Sequence, residues 1–581
     1  MKQKLLLLIL ITNVWLASSS QVINVSDFGV TENGDATSGL IRAIKKCKEI
    51  HAKKLMFPKG TYHFYPDFGT EQFFFISNND DGLKRIVFLL SKMQNLTIDG
   101  QGSHFIFHGF VNPFILSGSS NIRLENFSID YHRPFHSEAI VLAVYKDSID
   151  LEIKPAFPFR IVNNLLQFTD FPDPNADEIE KRSLGIYEYR ILLEFDTKKR
   201  ETAYMVSDQG AYLTPVIAKS IGERSVRIYR TGIKATIGNT IVFGYANRNY
   251  PGIVISDCSN TILNNVVINH CGGMAIIGQR SHNITVDHCK VTPSQGRMVS
   301  ATGDATHFVN CSGQITLSNS LFENQMDDAT NIHGIYVKTH GKVASNEIIV
   351  RLVHMQQQGF DFIRPGMDVE LVHSRSMIAY DTLRVQKVDR INKQFTRIVF
   401  ANNLPADFQS GDALAEINNY PKVYIHDNII RANRARGILL NSRGATVVEN
   451  NYFHNAGAAI LFEGDARFWF EQGGVRDCII KNNEFDNCMF GIWGKAVIDV
   501  GAGITEDFEQ SRYNRNIVIS NNTFKVFDDT SLLNLYCVDG LTWKNNTIIK
   551  TNSYPPARSG QQRFVVKYSN NIQIDHELIK Q

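Results

Sequence analysis

The chain has 581 residues, of which 43% are hydrophobic and 20% are charged, and its formal net charge is +2. This composition excludes a largely disordered chain. The near-neutral charge argues against nucleic acid or a strongly acidic polymer as the main partner, and the sequence contains no cysteine or histidine spacing typical of a zinc site.

Residues 1–20 are predicted to be a secretory signal peptide. Lys2 and Lys4 precede a short apolar run at 5–11, and small residues lead to a cleavage site near Ser20. The apolar run is too short to span a bilayer. We therefore expect an exported protein without a membrane span, located in the periplasm, at the cell surface or outside the cell.

The segment 21–133 is predicted to form the first coils of a stacked β structure, together with a cap. Apolar residues at Leu40, Ile44 and Cys47 are spaced as on one face of a helix. A helix at this position would cover the open edge of the first strands, which would otherwise be free to pair with other chains. We therefore predict an N-terminal capping helix.

A short strand pattern that ends in two asparagines recurs along the chain and defines the fold. One unit is too short to bury its own apolar face, but stacked units bury a continuous core. Asparagine suits the bend between strands, because it tolerates a left-handed backbone, and stacked asparagines hydrogen-bond along the axis. Since crossovers between parallel strands are right-handed, we predict an all-β, right-handed parallel β-helix. The asparagine pairs lie at 264–265, 450–451, 482–483, 521–522 and 545–546, and several copies are about 23 residues apart.

Two stretches interrupt this repeat. Residues 134–245 contain longer strands and turns, and residues 335–416 alternate as antiparallel strands do. We predict two antiparallel β-rich insertions, barrel-like or sandwich-like, that could wall a cleft beside the coil. The coils of the β-helix would then occupy 21–133, 246–334 and 417–581.

A repeated tetrapeptide marks the candidate catalytic site. D-A-T-H begins at Asp304, D-A-T-N begins 24 residues later at Asp328, and Asp327 directly precedes the second copy. A repeat of one coil would bring these three carboxylates into one small patch. Like charges held this close raise the pKa values of some of the carboxyls and leave others low. A difference of this kind lets one carboxyl act as an acid and another as a base. The pattern therefore indicates carbohydrate cleavage.

Two groups of residues resemble known families. V-S-D-F-G-V at 25–30 with F-P-K-G-T-Y at 57–62 resembles the opening of pectin-lyase-like β-helix proteins, which is specific for fold but weak for function. The segments 300–307 and 325–334, with the signal peptide and the insertions, make the mature chain resemble glycoside hydrolase family 110. Its members are exo-acting α-1,3-galactosidases of gut bacteria, Bacteroides among them, which remove the galactose of the blood group B antigen. The resemblance implies inversion without a metal or cofactor, and a glycan partner with terminal α-galactose.

An inverting glycosidase needs a protonated carboxyl for the leaving oxygen and an ionised carboxylate for water, about 6.5–9.5 Å apart. Coils stack about 4.7–4.9 Å apart, so strict register would hold Asp304 and Asp328 a little too close. Asp327, one position out of register, would be displaced further. We predict Asp304 as the general acid, with Asp327 and Asp328 jointly holding and deprotonating the water.

Six further residues are candidates for binding the substrate. His307 and His333 follow the carboxylates and could bind a hydroxyl, tune a carboxyl pKa or simply lie in a turn. Arg436 precedes a later strand and is either a sugar contact or a solvated surface residue. Acidic side chains accept hydroxyl protons and an aromatic ring can stack on the apolar patch of galactose, which adds the candidates Glu463, Asp465 and Trp469.

Three alternatives stay open at this point. A Ca²⁺-dependent polysaccharide lyase would use clustered carboxylates with a lysine or arginine base. A polygalacturonase-like hydrolase would use the same pair of acidic and basic carboxyls to cleave uronic acid polymers, and it would need a basic cleft. A non-catalytic, glycan-binding β-helix protein would need no tight carboxylate cluster.

Overall fold

The computed structural model describes residues 21–172, 184–209, 215–575 and 578–580, so the predicted signal peptide at 1–20 lies outside the described residues. The predicted fold class is confirmed, because the described residues form a parallel β-helix with two antiparallel insertions and an N-terminal helix. Within these ranges, no helix is both long enough and apolar enough to cross a membrane.

Each coil of the β-helix has three faces, and two of these faces share one parallel sheet of 22 strands. Its strands are Val22–Asn24, Lys54–Met56, Thr61–Phe64, Gln94–Phe107, Ser120–Tyr131, Ser259–Ile268, His282–Asp287, Lys290–Val291, Ser312–Ser318, Leu321–Glu323, Lys422–His426, Ile429–Arg431, Thr446–Glu449, Tyr452–His454, Cys478–Lys481, Glu484–Asp486, Asn514–Ser520, Thr523–Val526, Val538–Lys544, Thr547–Lys550, Asn570–Ile574 and Leu578–Lys580.

The third face carries the strands that position the candidate site. They pair in parallel from coil to coil, and the strand Thr70–Phe74 adds an antiparallel pair at the N-terminal end. The third-face strands are Gly82–Ser91, Asn112–Ser117, Ile253–Ser256, Ile276–Gln279, Thr306–Val309, Thr330–Ala344, Ile438–Asn441, Ile460–Phe462, Ile498–Val500, Leu533–Tyr536 and Phe564–Lys567.

Asparagine pairs build the bend between the two faces of the large sheet. In the pairs at 450–451, 482–483, 521–522 and 545–546 the first member adopts a left-handed backbone, with φ of 57° at Asn450 and Asn482, and the second member is buried. The buried asparagine bonds to its equivalent on a neighbouring coil. Asn451 Nδ2 donates to Asn483 Oδ1, and Asn483 Nδ2 donates to Asn522 Oδ1, each at 3.0 Å. Both uses of asparagine match the sequence prediction.

Aromatic rings extend the stacking through the core. Phe453, Phe485, Phe524 and Trp543 lie on successive coils with ring centroids 5.1, 4.7 and 4.9 Å apart. Offset stacks of this kind add to the free energy of simple apolar burial.

The N-terminal end is covered by the helix Thr37–Ile50, which follows a short 3₁₀ helix at Val25–Phe28. Its buried face includes Leu40, Ile44 and Cys47. The predicted capping helix is therefore confirmed.

The first insertion is an antiparallel sheet between the coil strands Ser120–Tyr131 and Ile253–Ser256. Its strands are Ser137–Val144, Ser148–Ile153, Phe159–Val162, Leu165–Thr169, Ile186–Tyr187, Tyr189–Asp196, Glu201–Thr202, Ile217–Ser220, Ser225–Tyr229 and Thr240–Tyr245.

The second insertion is a six-stranded antiparallel barrel that grows directly from the coil. Thr330–Ala344 begins as a third-face strand and continues into the barrel, where its far end pairs with both neighbouring barrel strands and closes the ring. A short 3₁₀ helix, Met355–Gln357, lies in one barrel connection. The other barrel strands are Glu347–Arg351, Asp368–Val372, Ala379–Arg390, Phe395–Phe400 and Ala413–Glu416.

Candidate active site

The register of the third face brings the repeated aspartates together. Asp304, Asp328 and Arg436 occupy equivalent positions on three successive coils, each two residues before a strand. Asp327 lies beside Asp328 in the same turn. One oxygen from each of the three carboxylates lies within 4.8 Å of the other two. Coil stacking thus joins residues that are 24 positions apart in the chain, as the tetrapeptide repeat predicted.

The carboxylates face a cavity of about 280 Å³ that four parts of the chain enclose. The β-helix supplies its floor, and the first insertion and the segment that follows it supply one wall. Smaller contributions come from an N-terminal loop and the barrel connection. The lining residues outside the floor are Asn78, Arg190, Ile191, Asp208, Gly244, Tyr245, Arg248 and Gln356.

Asp327 is the carboxylate held most firmly in the ionised form. Arg248 lies 2.8 Å from its Oδ2, and Arg434 lies 3.7 Å from its Oδ1. Burial favours the neutral acid, but the charges of Arg248, Arg436 and Arg434 outweigh it and lower the pKa of Asp327.

Asp304 has the opposite preference. Its side chain is buried, and burial with the nearby charge of Asp327 raises its pKa to about 7, despite Arg248 and Arg436. Its Oδ1 accepts a hydrogen bond from the backbone N–H of Asp328 at 3.3 Å. A carboxyl with this pKa is substantially protonated near neutral pH, which is the state that a general acid requires.

Asp328 lies between the other two in the coil stack. Arg436 donates to it twice, from the backbone N–H at 3.1 Å and from the guanidinium at 2.8 Å. Burial and the charges of Asp327 and Asp304 nevertheless raise the pKa of Asp328, against the influence of Arg436. The cluster therefore separates into one carboxyl with a lowered pKa and two with raised values.

The two candidate histidines form a chain behind Asp304. His307 Nδ1 lies 2.6 Å from Asp304 Oδ2, and His307 Nε2 lies 2.9 Å from His333 Nε2. His307 lines the cavity, but His333 lies behind it and is not among the described residues that line the cavity. Glu471, 3.7 Å from His333 Nε2, closes this side of the site.

The candidates Glu463, Asp465 and Trp469, which follow the strand Ile460–Phe462, all line the cavity but have different surroundings. The Asp465 carboxylate accepts the backbone N–H groups of Arg467 and Phe468, at 3.0 and 2.6 Å. It therefore also holds the turn that presents Trp469. Trp469 is 49% exposed. Glu463 is accessible from the cavity, but the protein atoms around its carboxyl displace water and raise its pKa despite the charge of Arg436. These two form the open side of the cavity.

Arg436 is an internal residue of the site. The alternative of a solvated surface arginine is wrong for it, because its guanidinium is paired with the buried Asp328. Its neighbour Arg434 is also paired, with Asp208 of the first insertion through Nε at 2.8 Å. The pair Arg434–Asp208 ties the wall of the cavity to its floor.

The donor set does not fit a divalent cation. A bound Ca²⁺ or Mg²⁺ would need the clustered carboxylates as oxygen ligands. Guanidinium groups of Arg248, Arg434 and Arg436 already lie 2.8–3.7 Å from these oxygens. A cation would have to enter against their positive charge.

Several residues of the site escaped the sequence analysis. Arg248, Asp208 and Gln356 come from the two insertions or their edges, and no repeat or motif marks them. Glu471 carries a weak signal, since it follows Trp469 by two residues in a stretch already rich in acids and aromatics. Their positions depend on how the insertions fold back, which no local pattern encodes.

Two family models that match parts of this chain agree with its fold. A model described as a right-handed β-helix region matches residues 392–548, and a model of GLAA-B β-barrel domain II matches residues 347–414. Among solved structures, an exopolygalacturonase from Thermotoga maritima has a TM-score of 0.40 at 9% identity, covering 96% of this chain and 91% of that chain.

Whole-length relatives carry more information. An alpha-1,3-galactosidase A from Shewanella woodyi is 36% identical over 562 residues, covering 95% of this chain and 89% of the relative. Alpha-1,3-galactosidase B proteins from Phocaeicola vulgatus and Bacteroides thetaiotaomicron are 31% and 30% identical, each covering 97% of this chain, and 96% and 92% of the relatives.

These relatives place the chain among the glycoside hydrolases, and within them among the α-galactosidases. The chain belongs to the α-1,3-galactosidase family, and the resemblance noted in its sequence is confirmed.

Proposed function

We propose that this enzyme removes terminal α-1,3-linked galactose from glycans such as the blood group B antigen, by an inverting, metal-independent mechanism. The observation that carries the proposal is the cluster of three carboxylates on the floor of the cavity, in which Arg248 and Arg434 lie beside Asp327 and favour its ionised form. The predicted signal peptide would export the enzyme to where such glycans occur.

In the proposed reaction Asp304 is the general acid. Its proton passes to the glycosidic oxygen while the bond from that oxygen to the anomeric carbon breaks. The near-neutral pKa of Asp304 keeps this proton available at physiological pH and makes its release feasible.

Asp327 and Asp328 would together hold the attacking water. Two adjacent carboxyls offer two acceptors for the two protons of one water molecule, and the ionised Asp327 takes the proton as water attacks. The nearest oxygens of the cluster fall within 4.8 Å, closer than the approximately 6.5–9.5 Å typical between carboxyl groups of inverting enzymes. In the proposed inversion the water approaches the anomeric carbon from the Asp327–Asp328 side, opposite the leaving oxygen that Asp304 protonates.

The walls of the cavity support the proposed exo action. The floor ends against the first insertion on one side, where Tyr245 and Asp208 lie, and Trp469 and Glu463 mark the open side. A chain end fits such a blind cavity, whereas an internal sugar of a polymer would need two openings. Trp469 would stack on the apolar patch of galactose.

The proposal is tested by incubating the mature protein with the group B trisaccharide, with and without a chelator. We expect galactose release that the chelator does not change. Polygalacturonate, with and without Ca²⁺, serves as the substrate of the competing hydrolase and lyase functions. Release of uronic acid or of unsaturated products, with no galactose, would overturn the proposal.

The role of Asp304 is tested separately with Asp304→Asn. Without a proton donor the variant should lose at least about 100-fold in kcat on the trisaccharide. It should keep much more of its activity on α-galactosyl fluoride, because fluoride leaves without needing a strong acid. Equal losses on both substrates would contradict the assignment of Asp304 as the acid.

A further inference from the structure

We propose that His333 and His307 form an ordered hydrogen-bond chain that keeps the proton on Asp304, with His333 as a positioning residue that never touches the substrate. The inference rests on the proposed function, in which Asp304 is the general acid. It assigns a direction to each hydrogen bond of the chain, starting from a backbone carbonyl.

The direction of the chain is fixed at its far end. His333 Nδ1 lies 2.6 Å from the carbonyl oxygen of Gly334. A carbonyl oxygen only accepts hydrogen bonds, so His333 Nδ1 must carry the hydrogen. Burial lowers the pKa of His333, so the ring is neutral and its Nε2 holds a lone pair.

The lone pair on His333 in turn fixes the hydrogen position on His307. His307 Nε2 lies 2.9 Å from His333 Nε2 and must therefore donate to it. Burial lowers the pKa of His307 to about 3, so this ring is also neutral and its Nδ1 holds a lone pair. Asp304 Oδ2, 2.6 Å from that nitrogen, must then supply the hydrogen. An ionised Asp304 would set a carboxylate against a lone pair.

The opposite direction needs a charge pair that the surroundings disfavour. It requires a charged His333 beside an ionised Glu471, whose oxygen lies 3.7 Å away. Burial lowers the pKa of His333, which disfavours its charged form, and raises the pKa of Glu471, which disfavours the ionised partner that a charged His333 would need. The remaining titratable and charged groups that face Asp304 are Asp327, Asp328, Arg248 and Arg436.

The hydrogen-bond chain favours reprotonation of Asp304 after each turnover. When substrate is bound, the Asp304 O–H turns from the lone pair of His307 to the glycosidic oxygen and transfers its proton there. The bonding electrons of the broken glycosidic bond stay with that oxygen. The resulting carboxylate faces the His307 lone pair, and this repulsion favours uptake of a proton from solvent.

The first test is His333→Phe, which removes the acceptor for His307. The His307 hydrogen can then move to Nδ1 and bond to the ionised Asp304, which lowers the pKa of the acid. We expect the basic limb of the kcat/KM profile for galactose release to move down by about one pH unit. The remote, exposed His282→Gln is the control and should keep the wild-type profile.

The second test is His307→Gln, which preserves the order of the chain. Its amide oxygen accepts on the Asp304 side, and its amide nitrogen donates on the His333 side. The basic limb of the kcat/KM profile of His307→Gln should stay at the wild-type pH, even if its kcat is lower. A basic limb that stays in place in a folded His333→Phe, checked by its thermal midpoint, would overturn the proposal.

Neutron diffraction on deuterium-exchanged crystals of the wild type keeps this question separate from the proposed function. We expect deuterium on His333 Nδ1, His307 Nε2 and Asp304 Oδ2. Deuterium on His307 Nδ1 would overturn the ordered chain. Failure of the wild type to release galactose would instead overturn the proposed function. The neutron result alone would then show whether the hydrogen bonds from His333 to Asp304 run in the proposed direction.

Discussion

Two aspartates of the same cluster, Asp304 and Asp327, acquire opposite pKa shifts from their neighbours. Asp304 is buried and Asp327 is largely enclosed, and desolvation alone would raise both pKa values. Asp327 is distinguished by its contact with Arg248 at 2.8 Å and its proximity to Arg434. The arginines, rather than the aspartates, therefore decide which carboxyl favours the protonated form and which favours the ionised form.

Arg248→Met tests this division. Loss of the guanidinium raises the pKa of Asp327, so the base is ionised only at higher pH and the acidic limb of kcat/KM moves up. Arg248 also lowers the pKa of Asp304, so the basic limb moves up as well. We expect the whole bell-shaped profile to shift upward by about one pH unit.

The matched control is Arg280→Met. Arg280 also pairs with an aspartate, Asp257, after a third-face strand, but Asp257 does not line the cavity among the described residues. Its pH profile should equal that of the wild type. A downward shift of either limb in Arg248→Met would contradict the assigned roles.

Trp469→Ala tests the sugar-stacking surface. Loss of a stacking ring costs about 1–1.5 kcal/mol, so KM should rise about tenfold with a smaller change in kcat. The adjacent Phe468→Ala is the control, because Phe468 is 70% exposed and does not belong to the cavity lining within the described chain. Equal KM values for the two variants would exclude Trp469 as a stacking residue.

At this scale the sequence predicts the acids better than their surroundings. Asp304 and Asp328 are recognisable because a tetrapeptide repeats at the period of one coil. Arg248 and Asp208 are not recognisable, because they reach the site from an insertion whose contacts with the coil are long-range. The sign of each pKa shift depends on those contacts and could not be predicted.

At the scale of elements, the buried asparagine ladder sets the spacing of the coils. Asn483 accepts from the backbone N–H and the side chain of Asn451 and donates to Asn522. It also donates to the backbone carbonyls of Val448 and Lys481. The asparagine pairs in the sequence predicted this ladder, because only stacked coils bring equivalent residues into contact.

Asn483→Ala should destabilise the C-terminal coils. The substitution leaves buried polar groups of two neighbouring coils without partners, which lowers the free energy of unfolding by about 3 kcal/mol. Urea unfolding followed through the fluorescence of Trp543, two coils away in the core stack, measures the loss. Asn402→Ala, at an exposed turn, is the control and should change stability by less than about 0.5 kcal/mol. Equal midpoints for the two variants would contradict a structural ladder.

The strand Thr330–Ala344 shows what element-level prediction omits. The sequence analysis placed the end of the coil at residue 334 and a separate insertion from 335 onward. In the structure one continuous strand serves both, with Asp328 just before it and the barrel at its far end. The barrel is therefore mechanically continuous with the catalytic turn, which alternation of apolar residues could not reveal.

At the scale of the whole molecule, the proposed function depends on closing one side of an otherwise open coil. A bare β-helix presents its carboxylates along an open surface, which suits a polymer. Here the first insertion meets the floor through the ion pair of Arg434 with Asp208, and the barrel connection contributes Gln356. The sequence predicted two insertions, but their meeting over the third face arises from contacts between residues far apart in the chain.

The most direct test of the account is the configuration of the first galactose released from the group B trisaccharide, followed by proton NMR before mutarotation. The proposed attack of a water held by Asp327 and Asp328, on the face opposite the leaving group, predicts β-galactose as the first product. First appearance of α-galactose would contradict the account, because it would mean that one carboxylate of this closely spaced cluster attacks the anomeric carbon itself.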